Sequence, residues 1–103
     1  MKILILCNHG NVRSVGLKYL IQRLYGDKHD VLAAGVEENS NATLKLLMDW
    51  ADKVISLTDE ANSVASYKGD NNKFIDIGRD TWFNPFHHEL QHKLLKHIKD
   101  LNL

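Results

Sequence analysis

The stretch Lys2-Ile3-Leu4-Ile5-Leu6-Cys7-Asn8-His9-Gly10-Asn11-Val12-Arg13-Ser14 joins three local patterns without a linker. Residues 2 to 6 form a continuous β-favouring run of the kind found in strands buried on both faces. From Ser14 the period changes, with Val15, Leu17, Leu20, Ile21 and Leu24 recurring at helical intervals until Gly26 and Asp27 stop the run. A strand, a loop opened by Cys7 and a helix therefore follow one another directly.

The alternation continues outward from this unit. Val31, Leu32 and Ala33 predict a second strand ending at Gly35, and Ser40 or Asn41 can cap a helix through Trp50. Residues 53 to 57 predict a third strand, and Thr58 begins a polar helix reaching about Tyr67, with Asp59 and Glu60 suited to its N-terminal dipole. Residues 73 to 77 predict a fourth strand, followed by a loop over 78 to 85 and a last helix from about Phe86. Strands and helices alternating through short connections imply an α/β fold: a four-stranded parallel sheet with right-handed crossovers and helices on both faces. Ligands of such sheets bind beyond the carboxyl ends of the strands, where Cys7 and the 78–85 loop both fall. No repeat, linker or low-complexity segment interrupts the 103 residues, so one domain, 1–103, is expected.

Thirteen basic and thirteen acidic residues leave no net charge, hence no global field for nucleic acid or an anionic membrane. An anion site must be local. The single cysteine cannot form an internal disulfide, which fits a reducing compartment. The chain opens on a strand, and no apolar stretch approaches the length of a membrane span. These features lead us to expect a cytoplasmic monomer.

C-x5-R-S between a strand and a helix is the length of loop that can curl around a tetrahedral dianion. The backbone N–H groups of Asn8, His9, Gly10, Asn11 and Val12 would point inward, and the Arg13 fork would hold two equatorial oxygens. Cys7 at the base is the candidate nucleophile, because those N–H groups, the helix start and Arg13 all favour a negative sulfur. Ser14 is placed to donate to that sulfur. Gly10 would allow close approach to a phosphate oxygen, and Asn11 tolerates the left-handed backbone that a tight cradle can require. A buried inert thiol at a strand end is the plain alternative for Cys7.

Cleavage of a phosphate ester by a thiolate needs a proton for the leaving oxygen. The donor belongs on a second loop at the same sheet edge, and Gly78-Arg79-Asp80-Thr81-Trp82-Phe83 is that loop. Asp80 is preferred as the acid, with Asp76 as its rival; Trp82 and Phe83 either wall an aryl substrate or anchor the last helix.

With Ala33-Ala34-Gly35 after the second strand and Trp50-Ala51-Asp52 before the third, the C-x5-R-S loop resembles that of the low-molecular-weight protein tyrosine phosphatases, particularly their short bacterial and phage-type members. The resemblance implies a cysteinyl-phosphate intermediate on Cys7, hydrolysed by water without a metal or cofactor. It also implies a phosphotyrosine protein or small aryl phosphate as substrate. The chain departs from the family in three places. Gly10 stands where an asparagine is usual, Val15 replaces a proline, and Asp80 lacks its usual proline neighbour.

His88-Glu89-Leu90-Gln91-His92 matches the zinc-peptidase pattern H-E-x-x-H. The apolar stripe Phe86, Leu90, Leu94, Ile98 and Leu101 sets the core face, and at about 100° per residue His88 and His92 point to solvent. No metal site is expected there. Two other readings of the Cys7 loop remain: a phosphocysteine carrier similar to the sugar-transport IIB proteins, and a phosphate-binding regulatory module without turnover. Arg13 argues against the carrier, since it promotes loss of the phosphoryl group that a carrier must keep.

Overall fold

The computed structural model describes residues 1–78 and 81–103. Four parallel strands, β1 (Lys2–Cys7), β2 (Asp30–Gly35), β3 (Lys53–Ser56) and β4 (Asn72–Phe74), lie in the order β2-β1-β3-β4. The helices between them are α1 (Arg13–Tyr25), α2 (Asn41–Trp50), α3 (Asp59–Ala65) and α4 (His88–His97). This is the expected fold class.

β1 is an inner strand, so both its faces are covered. Ile3, Ile5 and Cys7 pack with Leu17, Leu20 and Ile21 of α1 and Leu90 and Leu94 of α4. Leu4 and Leu6 turn the other way, onto Leu44 and Met48 of α2 and Ala61 and Ala65 of α3. The period-2 alternation of side chains along a strand explains how one apolar run serves two cores. The order of strands reverses between β1 and β3, which puts the switch point, the usual crevice for a ligand, beside Cys7.

Ser40 caps α2, its hydroxyl accepting from Thr43 N–H at 3.1 Å, as the serine-or-asparagine signal predicts. The fourth strand is shorter than expected. Ile75 N–H still donates to Ser56 O (2.9 Å), but β3 ends at Ser56 and the ladder has no further partner. Ile75 and Ile77 leave the sheet and are buried in the α1/α4 core instead. The last helix begins at His88, because Asn84 Oδ1 accepts from Phe86 N–H and His87 Nδ1 from Glu89 N–H, making a turn and then a cap. Phe86 thus stands outside the core stripe, half exposed with its ring edge-on to Tyr19. The other four members, Leu90, Leu94, Ile98 and Leu101, are buried. Among the described residues no helix is long and apolar enough to cross a membrane.

Candidate active site

Cys7 ends β1, 2% exposed, with its sulfur facing two groups of the loop that follows. Gly10 N–H donates to Sγ at 3.1 Å, and Ser14 Oγ lies 3.1 Å away. While the thiol is protonated it donates to Ser14. A thiolate would instead receive the Ser14 hydroxyl proton together with the Gly10 N–H, both donors already in place. The buried sulfur therefore faces both the apolar α1/α4 core and two polar groups of the loop.

The loop is held from both sides. Val36 N–H and Glu37 N–H donate to Cys7 O and Asn8 O, each at 2.9 Å, tying it to the end of β2. On the β3 side Thr58 has two roles. Its hydroxyl donates to Asn8 Oδ1 at 2.7 Å and accepts from Ala61 N–H at 3.0 Å, so the N-cap of α3 is also a strut for the loop.

Gly10 adopts φ +74°, the left-handed backbone expected one residue later at Asn11. Among the described non-glycine residues only Phe83 and Asn102 have positive φ, so Asn11 does not carry it. Gly10 also packs against the Gly35 backbone at the end of β2, a contact that needs a glycine on both sides.

Arg13 opens α1 and is 8% exposed. Its Nη1 donates to Gly78 O at 3.0 Å, which links the Cys7 loop to the chain leaving β4. Its Nε is buried without a hydrogen-bond partner among the described residues. Asn8, Arg13, Thr58 and Gly78 line an open cleft of about 610 Å³ at the carboxyl ends of β1 and β3. Asp76 also lines this cleft, while one of its carboxylate oxygens accepts from Gly78 N–H at 2.9 Å.

His9, in the middle of the loop, faces outward. Its Nδ1 meets Glu38 Oε1 at 3.0 Å and its Nε2 meets Glu37 Oε2 at 3.3 Å. The hydrogen bond to Glu38, with the charge of Glu37, raises its pKa above the ordinary histidine value. Val12 packs against the α1/α4 core. Asp80 and Arg79 lie outside the described residues.

Trp82 is not among the described residues that line the cleft. It is 7% exposed and belongs to the core around Cys7, Leu90 and Leu94, with Lys93 Nζ 5.3 Å from its ring centroid. Covering apolar side chains where the chain returns from β4 to α4 takes a large flat ring, and Trp82 fills that role. Phe83 is the exposed aromatic of the segment, at 89%. His88 and His92 are exposed, as the helix phase predicts, and no group of three metal-ligating side chains occurs among the described residues. Thr58 escaped the sequence reading as a site residue because only its capping role is visible from local pattern; its reach to Asn8 spans 50 positions of chain.

No protein-family model matches the chain, and no curated protein matches it in sequence. Among solved structures it is similar to the YwlE arginine phosphatase from Geobacillus stearothermophilus, with a TM-score of 0.65 and 17% identity over 98% of this chain and 92% of that one. The chain has the α/β fold of that phosphatase, which is the fold the C-x5-R-S resemblance led us to expect.

Proposed function

We propose that this protein is a phosphatase of the low-molecular-weight type, hydrolysing phosphomonoesters, phosphotyrosine foremost, through a cysteinyl-phosphate intermediate. In this reading the Cys7 thiolate attacks phosphorus, and the loop N–H groups with Arg13 hold the equatorial oxygens. Asp80 gives its proton to the leaving oxygen. Water then attacks the phosphocysteine, its proton passing to the Asp80 carboxylate; the P–S bond breaks with Ser14 donating to the departing sulfur, and inorganic phosphate is released.

The observation that carries the reading is the pairing of a Cys7 sulfur already facing Gly10 N–H and Ser14 Oγ with a buried Arg13 whose Nε has no partner. A buried donor left unpaired costs about 1–3 kcal/mol, more when charged. An inert structural thiol would require neither the donors nor that cost. Similarity to an arginine phosphatase makes N-phosphoryl compounds a second substrate class to test.

The experiment measures hydrolysis of para-nitrophenyl phosphate, phosphotyrosine and phosphoarginine by the wild type, Cys7→Ser and Asp80→Asn across pH. Activity lost in Cys7→Ser, and reduced on poor leaving groups in Asp80→Asn, is expected. Hydrolysis that survives Cys7→Ser would sink the mechanism. Stable phosphocysteine after incubation with a phosphohistidine donor would favour the carrier, and anion binding without turnover the regulatory module.

A further inference from the structure

The cleft in front of Arg13 carries more carboxylates than the single acid that phosphoryl transfer needs. Arg13 is the one cation among its described lining residues, whereas Asp59, Glu60 and Asp76 are exposed carboxylates on its walls. The dipole of α3 accounts for negative charge at Asp59 and Glu60, in its first turn. It does not account for Asp76, which comes from the chain leaving β4 and faces the same space.

The floor calls for the opposite sign. Arg13 is more than nine-tenths buried, lines the cleft and has Nε unpartnered among the described residues, a setting that suits an anion below a negative rim. An anionic substrate with no other charge would be repelled at the entrance. One that carries positive charge just outside its phosphoryl group satisfies both layers.

From this we infer that the site takes a phosphoryl group borne on a basic segment: a peptide whose phosphorylated residue is flanked by lysine or arginine. The inference rests on the phosphatase reading above. The basic flank lies toward Asp59 and Glu60, because on its other side Asp76 shares a neighbouring groove with the cations Lys93 and Lys96, which offset its charge. These rim charges are solvated, so the preference is electrostatic and salt-sensitive.

The test compares kcat/KM for two phosphotyrosine peptides that differ only in carrying two lysines or two glutamates beside the phosphotyrosine, with para-nitrophenyl phosphate as the reference substrate. At low salt the lysine peptide should be favoured about tenfold, mainly through KM, and the ratio should fall toward about twofold near 0.5 M salt. Asp59→Lys with Glu60→Lys should lower or invert the ratio. Asp59→Asn with Glu60→Gln serves the same purpose if the doubly charged variant destabilises α3. Equal rates for the two peptides, or a ratio indifferent to both double variants, would overturn the inference while para-nitrophenyl phosphate is still turned over. Absence of para-nitrophenyl phosphate hydrolysis by the wild type would instead overturn the phosphatase reading on which it rests.

Discussion

Gly10 and Gly35 meet backbone to backbone: a Cβ on Gly10 would lie 2.4 Å from the Gly35 nitrogen, and a Cβ on Gly35 would lie 2.2 Å from the His9 carbonyl carbon. The contact presses the loop that holds Cys7 onto the end of β2, and the obstacle on each side is main chain that cannot swing away. Gly35→Ala should therefore cost about 2–3 kcal/mol in urea unfolding and most of the activity. Gly26→Ala makes the control, since Gly26 has φ +59° with nothing within 4 Å of its added Cβ. Its cost should be backbone strain alone, about 1–2 kcal/mol, with activity kept. Full activity in Gly35→Ala would show that the contact does not shape the loop.

Thr58→Ala removes a helix cap and a strut in one change. Loss of the cap costs about 1 kcal/mol. Thr58→Ser keeps both hydrogen bonds and should recover most of the stability and turnover. A double-mutant cycle with Asn8→Ala should show coupling of about 1 kcal/mol in unfolding. Additive effects within about 0.3 kcal/mol would mean that Asn8 and Thr58 act independently.

Ser14 Oγ is fully buried, 3.1 Å from the Cys7 sulfur, so Ser14→Ala leaves a small gap and removes one of the two groups facing it. The variant should fold. Alkylation of Cys7 by iodoacetamide at neutral pH should slow, and turnover should fall about tenfold, within the range for loss of a hydrogen bond to a charged group. Unchanged alkylation and turnover would assign Ser14 to packing.

Two histidines should make stability depend on pH in opposite directions. His29 is buried with both ring nitrogens lacking a partner of good geometry among the described residues, and burial pushes its pKa below the ordinary value of about 6.5. As pH falls below about 6.5 the unfolded chain takes up this proton first, so the stability associated with neutral His29, full above that pH, declines toward its folded pKa. His9 has its pKa raised, so its contribution is present below about 6.5 and lost as pH rises through its folded value. His9 is exposed and screened, and should count for little. Urea midpoints between about pH 5 and 7.5 should thus fall on the acid side, and His29→Leu should flatten that slope. The same slope in His29→Leu would place the titrating group elsewhere.

Much of the fold was legible because each signal was local. The run 2 to 6, the helical spacing from Leu17 to Ile21, the serine before α2 and the threonine before α3 each act within one turn or one strand. Expectations failed where a partner decided. β4 stops at Phe74 because β3 stops at Ser56, and Phe86 leaves the core because two short turns precede α4. The amphipathic pattern 75 to 77 reads as strand either way, since both isoleucines are buried whether or not they have a ladder neighbour.

The site divides along the same line. Cys7, Arg13 and Ser14 are set by chain order, because a strand end, a short loop and a helix start leave them few places to go. The left-handed residue, the strut from Thr58 and the burial of Trp82 depend on β2, α3 and α4 arriving beside the loop, at sequence distances over which local pattern carries no information. Local pattern in the chain alone is thus enough for the order of strands and helices and for a cysteine at a strand end with an arginine at the following helix start. The packing of Gly35 against Gly10 and the side of the cleft that carries negative charge arise only on folding, because backbone clearance and electrostatic sums exist only between elements already in contact.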